Sequence, residues 1–295
     1  VSRLLPADGR VAVAVATTGA DAEACLAQTR AAAAAGADVV ELRADLLLAG
    51  PGPRTSPAPR SEGPSRPEGP SRPEGPSRPE GPSWPGAPDR VGDVVGLAGD
   101  VVNEAGGAPV LLTVRTVAEG GGAGLDDAAY SDLLHRLIEG LAELGAARRP
   151  AALDVEQARG GTAGLVARAH GAGLDVVVSH HDFRATPADG VMLARLRAMA
   201  DAGADVAKLA VMPRGPRDVA RLLGVTARAG EELDVAVATM SMGPLGAVSR
   251  LSGAVFGSVL TFATAGGAPS APGQLPIDRV RAVLDLLPPL PQDRP

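Results

Sequence analysis

The chain has 295 residues, of which 45% are hydrophobic and only 2% aromatic, and a formal net charge of −6. That length allows one large domain or two small ones, and an Ala/Val/Leu-rich composition suits helices layered on a sheet. The acidic balance, without a basic cluster among aromatics, argues against nucleic acid as a partner; no apolar run reaches the roughly 18 residues of a membrane span; and a single cysteine, Cys25, excludes an internal disulfide.

The opening Val1-Ser-Arg-Leu-Leu-Pro6 carries no long apolar core of the signal-peptide kind, so a cytoplasmic protein is expected. Residues 11–16 form the first predicted strand, and Asp21-Ala-Glu-Ala-Cys-Leu-Ala-Gln28 reads as helix, with Cys25 a small packing residue. The second strand is 38–43. A foreign tract follows at 50–89, where Glu62-Gly-Pro-Ser-Arg-Pro67 recurs at 68–73 and 74–79 and ends as Glu80-Gly-Pro-Ser-Trp-Pro85. Proline and glycine block helix and sheet there, and little apolar surface is available for a core, so a disordered loop insertion is expected. Such an insertion is cheap, since each doubling of loop length adds only about 0.6 kcal/mol of closure entropy.

Further predicted strands are 109–114, 152–156, 175–180, 205–210, 234–239 and 258–263, with helices such as 126–144, 187–202 and 216–229 between them. Without the tract roughly 255 residues remain, the usual size of an eight-fold β/α barrel. Eight strands alternating with helices imply a parallel sheet covered on both faces. The expected fold class is therefore α/β, a (β/α)8 TIM barrel forming a single catalytic domain over 1–295 with the tract inserted in it. A doubly wound open sheet is the structural alternative.

Ala35-Gly-Ala-Asp-Val-Val-Glu-Leu42 is echoed by Ala202-Gly-Ala-Asp-Val-Ala-Lys-Leu209 at six of eight positions, which sets Glu41 and Lys208 at equivalent places on two strands. By strand alternation Glu41 and Arg43 share a face, and Lys208 takes the corresponding face of its own strand, toward a barrel interior. Lys208 is the only lysine in the chain. An amine in an apolar strand is costly, and imine formation with a carbonyl is the chemistry arginine cannot replace. The alternative is a lysine whose stem is buried and whose ammonium reaches water. Polar residues also collect at the other strand ends: Arg115, Asp154 and Glu156, Ser179 to Asp182, Met240-Ser-Met242, and 264–274.

At these positions the chain resembles the type I 3-dehydroquinate dehydratases of the shikimate pathway. The matching stretches are Val40-Glu-Leu-Arg-Ala-Asp45, Leu112-Thr-Val-Arg-Thr116 with Glu119-Gly-Gly121, Ser179-His-His-Asp-Phe183, Ala207-Lys-Leu-Ala210, Met240-Ser-Met-Gly243, Ser249-Arg250, Val255-Phe-Gly-Ser258 and Ser270-Ala-Pro-Gly-Gln274. They fall in the family's order over nearly the whole chain outside the tract, which is itself the departure from the pattern.

The resemblance implies a lyase that dehydrates 3-dehydroquinate to 3-dehydroshikimate through an imine on Lys208, with His181 as general acid/base and Glu119 as the carboxylate that orients it. Arg250 would pair with the substrate carboxylate; Glu41, Arg43, Arg115, Ser270 and Gln274 would bind hydroxyls and carboxylate. No metal and no cofactor is implied, the expected partner is the small-molecule substrate, and a homodimer is suggested. Plainer readings stand beside these. Arg43 with Asp45, or Arg115 with Glu119, could be structural ion pairs, Met240 and Met242 could be core, and His180, expected to face away from His181, could be structural. His180-His181-Asp182 also reads as a metal site, but lacks further ligands at useful spacing. The functional alternatives are a class I Schiff-base aldolase on the same barrel, and an inert barrel whose proline repeats recruit a partner.

Overall fold

The computed structural model describes residues 2–48 and 87–287. The eight main strands are β1 (Ala12–Ala16), β2 (Val39–Arg43), β3 (Val110–Thr113), β4 (Ala152–Glu156), β5 (Asp175–Asp182), β6 (Val206–Val211), β7 (Ala236–Ser241) and β8 (Leu260–Thr264). All pair in parallel, in the order β7-β6-β5-β4-β3-β2-β1-β8. A bridge between Val237 and Ser258, with the Val259 amide donating to Val237 O at 2.9 Å, joins β7 to the start of β8 and closes the barrel. The helices are α1 (Ala22–Ala34), the short α2 (Ala44–Leu48), α3 (Ala87–Glu104), α4 (Asp127–Glu143), α5 (Thr162–Gly171), α6 (Asp189–Asp201), α7 (Pro216–Glu232), α8 (Gly243–Ser252) and α9 (Ile277–Leu284). Their starts follow local chemistry. Asp21 caps α1 by accepting from the Ala24 amide, Asp126 caps α4 through the Ala129 amide, and Pro216 opens α7 where its missing N–H costs nothing.

The strand alternation sorts the core in two. Val13, Val40, Leu42, Leu112, Leu153, Val178 and Leu209 point outward and pack against the helices. Leu4, Ala12, Val39, Leu111, Ala152, Val177, Val206 and Leu260 fill the interior at the strand starts. Each of these Val and Leu side chains contributes on the order of 1.5–3 kcal/mol on burial. Two positions further along the same inward rows the residues turn polar: Glu41, Thr113, Asp154, Ser179 and Lys208, all buried. The apolar floor thus supports a polar layer at the C-terminal mouth, where barrels place their chemistry.

Most of the expected insertion, 50–86, lies outside the described residues. At its C-terminal limit, α3 begins at Ala87. The two flanks of the tract meet, with the Arg90 guanidinium donating to Leu47 O at 3.0 Å. A ninth strand, β9 (Leu275–Pro276), pairs in parallel with β8 and was not expected. Among the described residues no helix is long and apolar enough to cross a membrane.

Candidate active site

A cleft opens at the C-terminal mouth, and all the predicted site residues line it: Glu41, Arg43, Arg115, Glu119, His181, Lys208, Arg250, Ser270 and Gln274. Gly120, Phe183, Ala210, Met240, Met242, Phe262 and Ala271 complete its wall. A broader groove at the opposite mouth is lined by Arg3, Arg10 and Asp38. There Arg10 and Arg281 both pair with Asp38.

Lys208 stands in the middle of β6 between the small residues Ser179 and Ala238 of the adjacent strands, which leaves room for its side chain to cross the barrel. Its side chain is 4% exposed. Nζ lies 3.4 Å from Asp154 Oδ2, 3.7 Å from Glu41 Oε1, and 4.5 Å from the centre of the Phe262 ring. The amine's nearest charged neighbours are therefore carboxylates. Asp154, which the sequence reading noted on its strand but did not place in the site, is fully buried and accepts from Ser179 Oγ at 2.7 Å. Burial works against its charge, but Arg115 and then Lys208 outweigh that and hold its carboxyl below the usual range.

Arg115 is committed to the protein. Its guanidinium contacts Asp154 at 2.8 Å, Glu156 at 3.1 Å, Ser179 Oγ at 2.9 Å and, more loosely, Glu119 at 3.6 Å. Arg43 is held in the same way by a two-pronged pair with Asp45, both contacts at 2.8 Å. Asp45 in turn accepts from the Gly122 amide at 2.9 Å and so ties the start of α2 to the loop that carries Glu119. Glycine is required in that loop at Gly120, where φ is +80° and a Cβ would lie 2.3 Å from the Phe183 ring.

Arg250 differs from the other two arginines. It is 2% exposed, and its contacts are the Pro272 carbonyl at 3.1 Å and Met240 Sδ at 3.4 Å; Nε has no partner among the described residues. Burial alone pushes it down to about 10. The Pro272 carbonyl also accepts from the Gly243 amide at 3.1 Å, so the loop at 270–274 is fastened over α8. Within that loop Gln274 Nε2 donates to Ser270 Oγ at 2.9 Å.

Glu119 faces both histidines of the tandem pair. Its Oε2 accepts from the His181 amide at 3.1 Å and from His181 Nδ1 at 2.8 Å; its Oε1 lies 3.5 Å from His180 Nδ1. Burial pushes the Glu119 carboxyl up, but the facing imidazoles of His180 and His181 and the charge of Arg115 carry it well below the usual range. The anion needs a proton on His181 Nδ1, which leaves Nε2 as the free basic nitrogen. Among the described residues no group of three or more His, Cys, Asp and Glu is arranged to hold a metal ion.

His181 is pushed down to about 3, first by burial and then by the charge of Arg115, against the pull of Glu119. An ordinary imidazole titrates near 6.5, as in the unfolded chain. Between those two values the unfolded state binds a proton that the folded state does not, so stability falls as pH is lowered from about 6.5 toward about 3, by up to ~1.4 kcal/mol per pH unit, and this contribution then levels off. The depressed Glu119 carboxyl acts with the same sign at lower pH: its stabilisation is present above its ordinary value of about 4.5 and lost as pH falls. The urea midpoint is accordingly expected to be lower at pH 5 than at pH 7. His181→Asn should flatten the slope between pH 6.5 and 5, where carboxylates stay mostly ionised; an unchanged slope would assign the excluded proton to another group.

The type I 3-dehydroquinase family profile matches residues 13–290. A 3-dehydroquinate dehydratase of Lactiplantibacillus plantarum is 44% identical over 191 residues, covering 64% of this chain and 73% of that protein. One from Klebsiella pneumoniae is 43% identical over 183 residues, covering 61% and 69%. Among solved structures, the 3-dehydroquinate dehydratase of Geobacillus kaustophilus superposes with a TM-score of 0.74 at 31% identity, covering 94% of this chain and 91% of its own. The type I 3-dehydroquinate dehydratase of Clostridium difficile with covalently modified comenic acid gives 0.73 at 27% identity, covering 94% and 92%.

Proposed function

The chain belongs to the type I 3-dehydroquinase family, and from that premise we propose which of its residues carry the reaction. The reaction itself is the dehydration of 3-dehydroquinate to 3-dehydroshikimate, a hydro-lyase step of the shikimate pathway that this family runs through a Schiff base. The single observation that carries the assignment is the placement of the chain's only lysine in one cleft with a Glu-bound imidazole and a buried arginine that no carboxylate of the described residues pairs.

Lys208 Nζ attacks the substrate ketone as a neutral amine and expels water to give an iminium. The iminium draws electrons from the adjacent C–H bond, and His181 Nε2 takes that proton to leave an enamine. As the enamine collapses, the same imidazole returns the proton to the departing hydroxyl, which leaves as water. Hydrolysis of the imine then frees the enone product and the lysine. Asp154 and Glu41 balance the positive nitrogen throughout. Glu119 fixes the His181 tautomer, and Arg250 receives the substrate carboxylate in a bidentate contact. Arg43, Arg115, Ser270 and Gln274 bound the remaining polar rim. The commitment of Arg43 and Arg115 to protein carboxylates favours their acting mainly as donors already aimed by those pairs.

The aldolase alternative is separated by assay: the chain should form a conjugated enone from 3-dehydroquinate and leave sugar-phosphate aldols untouched. Retro-aldol cleavage of the latter would sink the assignment. We read the molecule as one catalytic domain with the proline tract inserted, a reading supported by the Arg90–Leu47 contact across its flanks. We further read it as a cytoplasmic homodimer. The exposed apolar row Leu245, Val248 and Val255 supports a covered face, and a monomeric mass in sedimentation would overturn that reading.

A further inference from the structure

The tandem histidines divide one carboxylate between them. His180 and His181 follow each other on β5 and so start toward opposite faces of the strand, yet both Nδ1 atoms turn to Glu119. His181 occupies Oε2. Oε1 and His180 Nδ1 are both buried, neither has a hydrogen-bond partner of its own among the described residues, and they lie 3.5 Å apart. Two orphaned groups that close are each other's natural partner, and a shift of a few tenths of an ångström pairs them.

The proton needed for that pairing has an assigned position. Arg195, on α6, contacts His180 Nε2 through its guanidinium. A guanidinium only donates, so Nε2 must be the accepting nitrogen and the ring proton must sit on Nδ1, aimed at Oε1. Arg195, His180, Glu119 and His181 therefore form one directed line from the helix layer to the acid/base. We propose that His180 is a positioning residue: with its tautomer set by Arg195, it holds Glu119 Oε1 and so keeps Oε2 trained on His181. This rests on His181 being the acid/base.

Without His180, one oxygen of a buried carboxylate is left without a donor, and the group is free to rotate toward Arg115, the other charged side chain in reach of it. His181 then loses the acceptor that keeps its proton on Nδ1, and the population with a free Nε2 falls. Binding of the substrate carboxylate at Arg250 is untouched, so the loss should appear in kcat rather than KM.

The test compares His180→Phe, which keeps a ring but removes the donor, with His180→Asn, whose side-chain amide can place an N–H where Nδ1 stands. The Phe variant is expected to lose about tenfold in kcat with KM within about twofold, and the Asn variant to recover most of that loss. In nitrogen-15 spectra, His181 should go from a fixed Nδ1–H tautomer in the wild type to averaged ring signals in His180→Phe. Full kcat in the Phe variant, an Asn variant no better than Phe, or an unchanged His181 tautomer would each overturn the proposal. Should His180→Phe not fold, Arg195→Met decides: averaged His181 signals support the proposal, and wild-type signals overturn it. His181→Ala serves as the control for the underlying reading, because turnover surviving there would show that the acid/base itself was wrongly assigned.

Discussion

Replacing Lys208 by alanine is expected to lower kcat on 3-dehydroquinate by about 10⁴-fold or more, which is at least ~5.5 kcal/mol of barrier, while substrate still binds. The size follows from what the amine supplies. A ketone is a poor electron sink for the adjacent C–H bond, and no neighbouring residue replaces an iminium. The other cations of the cleft, Arg43, Arg115 and Arg250, are guanidiniums and are not nucleophiles at working pH. Lys208→Arg should therefore be as inactive as Lys208→Ala, although the charge remains beside Asp154 and Glu41.

Borohydride trapping gives this prediction a second readout. The chain has one lysine, so the reduced adduct has one side-chain amine to occupy. Trypsin cuts the unmodified protein after Arg197, Lys208 and Arg214. Reduction in the presence of substrate should abolish the cut after Lys208 and yield a single peptide over 198–214 carrying the added mass. An active enzyme that leaves this cut intact, or an active alanine variant, would refute the imine assignment.

The barrel was legible because its strands are short β-branched runs at regular intervals. All eight predicted strands are present, displaced at their ends by two residues at most. The strand that lengthens most is β5, which runs on through His181 to Asp182 because those residues keep pairing with Ala210 and Val211. Polar side chains hid that continuation, since a run of Ser-His-His-Asp carries no strand signal. β9 was illegible for a different reason. Two residues ending in proline make no pattern, and they pair only with Ala263 and Thr264 at the end of β8. In the site, period-two alternation and the family motifs brought out the residues that share the cleft. Alternation also puts Asp154 on the inward face of β4, but it cannot say which of several inward carboxylates lies within 3.4 Å of Nζ. Nor could it tell a committed arginine from a free one. Arg115 and Arg250 are each a single cation in the sequence, and only the crossing of strands shows Arg115 contacting three carboxylates.

That difference makes Arg250 the site of the second large effect. Among the described residues no carboxylate lies within salt-bridge distance of it, its Nε is unpartnered, and burial pushes it down to about 10 with nothing to offset the desolvation. A buried charge left in that condition destabilises the empty protein, and a buried ion whose partner arrives with the substrate restores the balance on binding. Arg250→Met keeps the apolar stem beside Met240 and removes the charge. It is expected to lower kcat/KM by about 10²–10³-fold, or ~2.7–4 kcal/mol, chiefly through KM, and at the same time to raise the stability of the empty protein by about 1 kcal/mol, read as a higher denaturation midpoint. The two changes have opposite signs, which a purely structural arginine cannot produce. A substrate analogue bearing a carboxamide in place of the carboxylate supplies the cross-check. It should bind the variant about as well as the wild type, because both then face an uncharged group. A variant that is less stable, with substrate affinity unchanged, would make Arg250 a scaffold for the Pro272 loop and leave the substrate carboxylate to another donor.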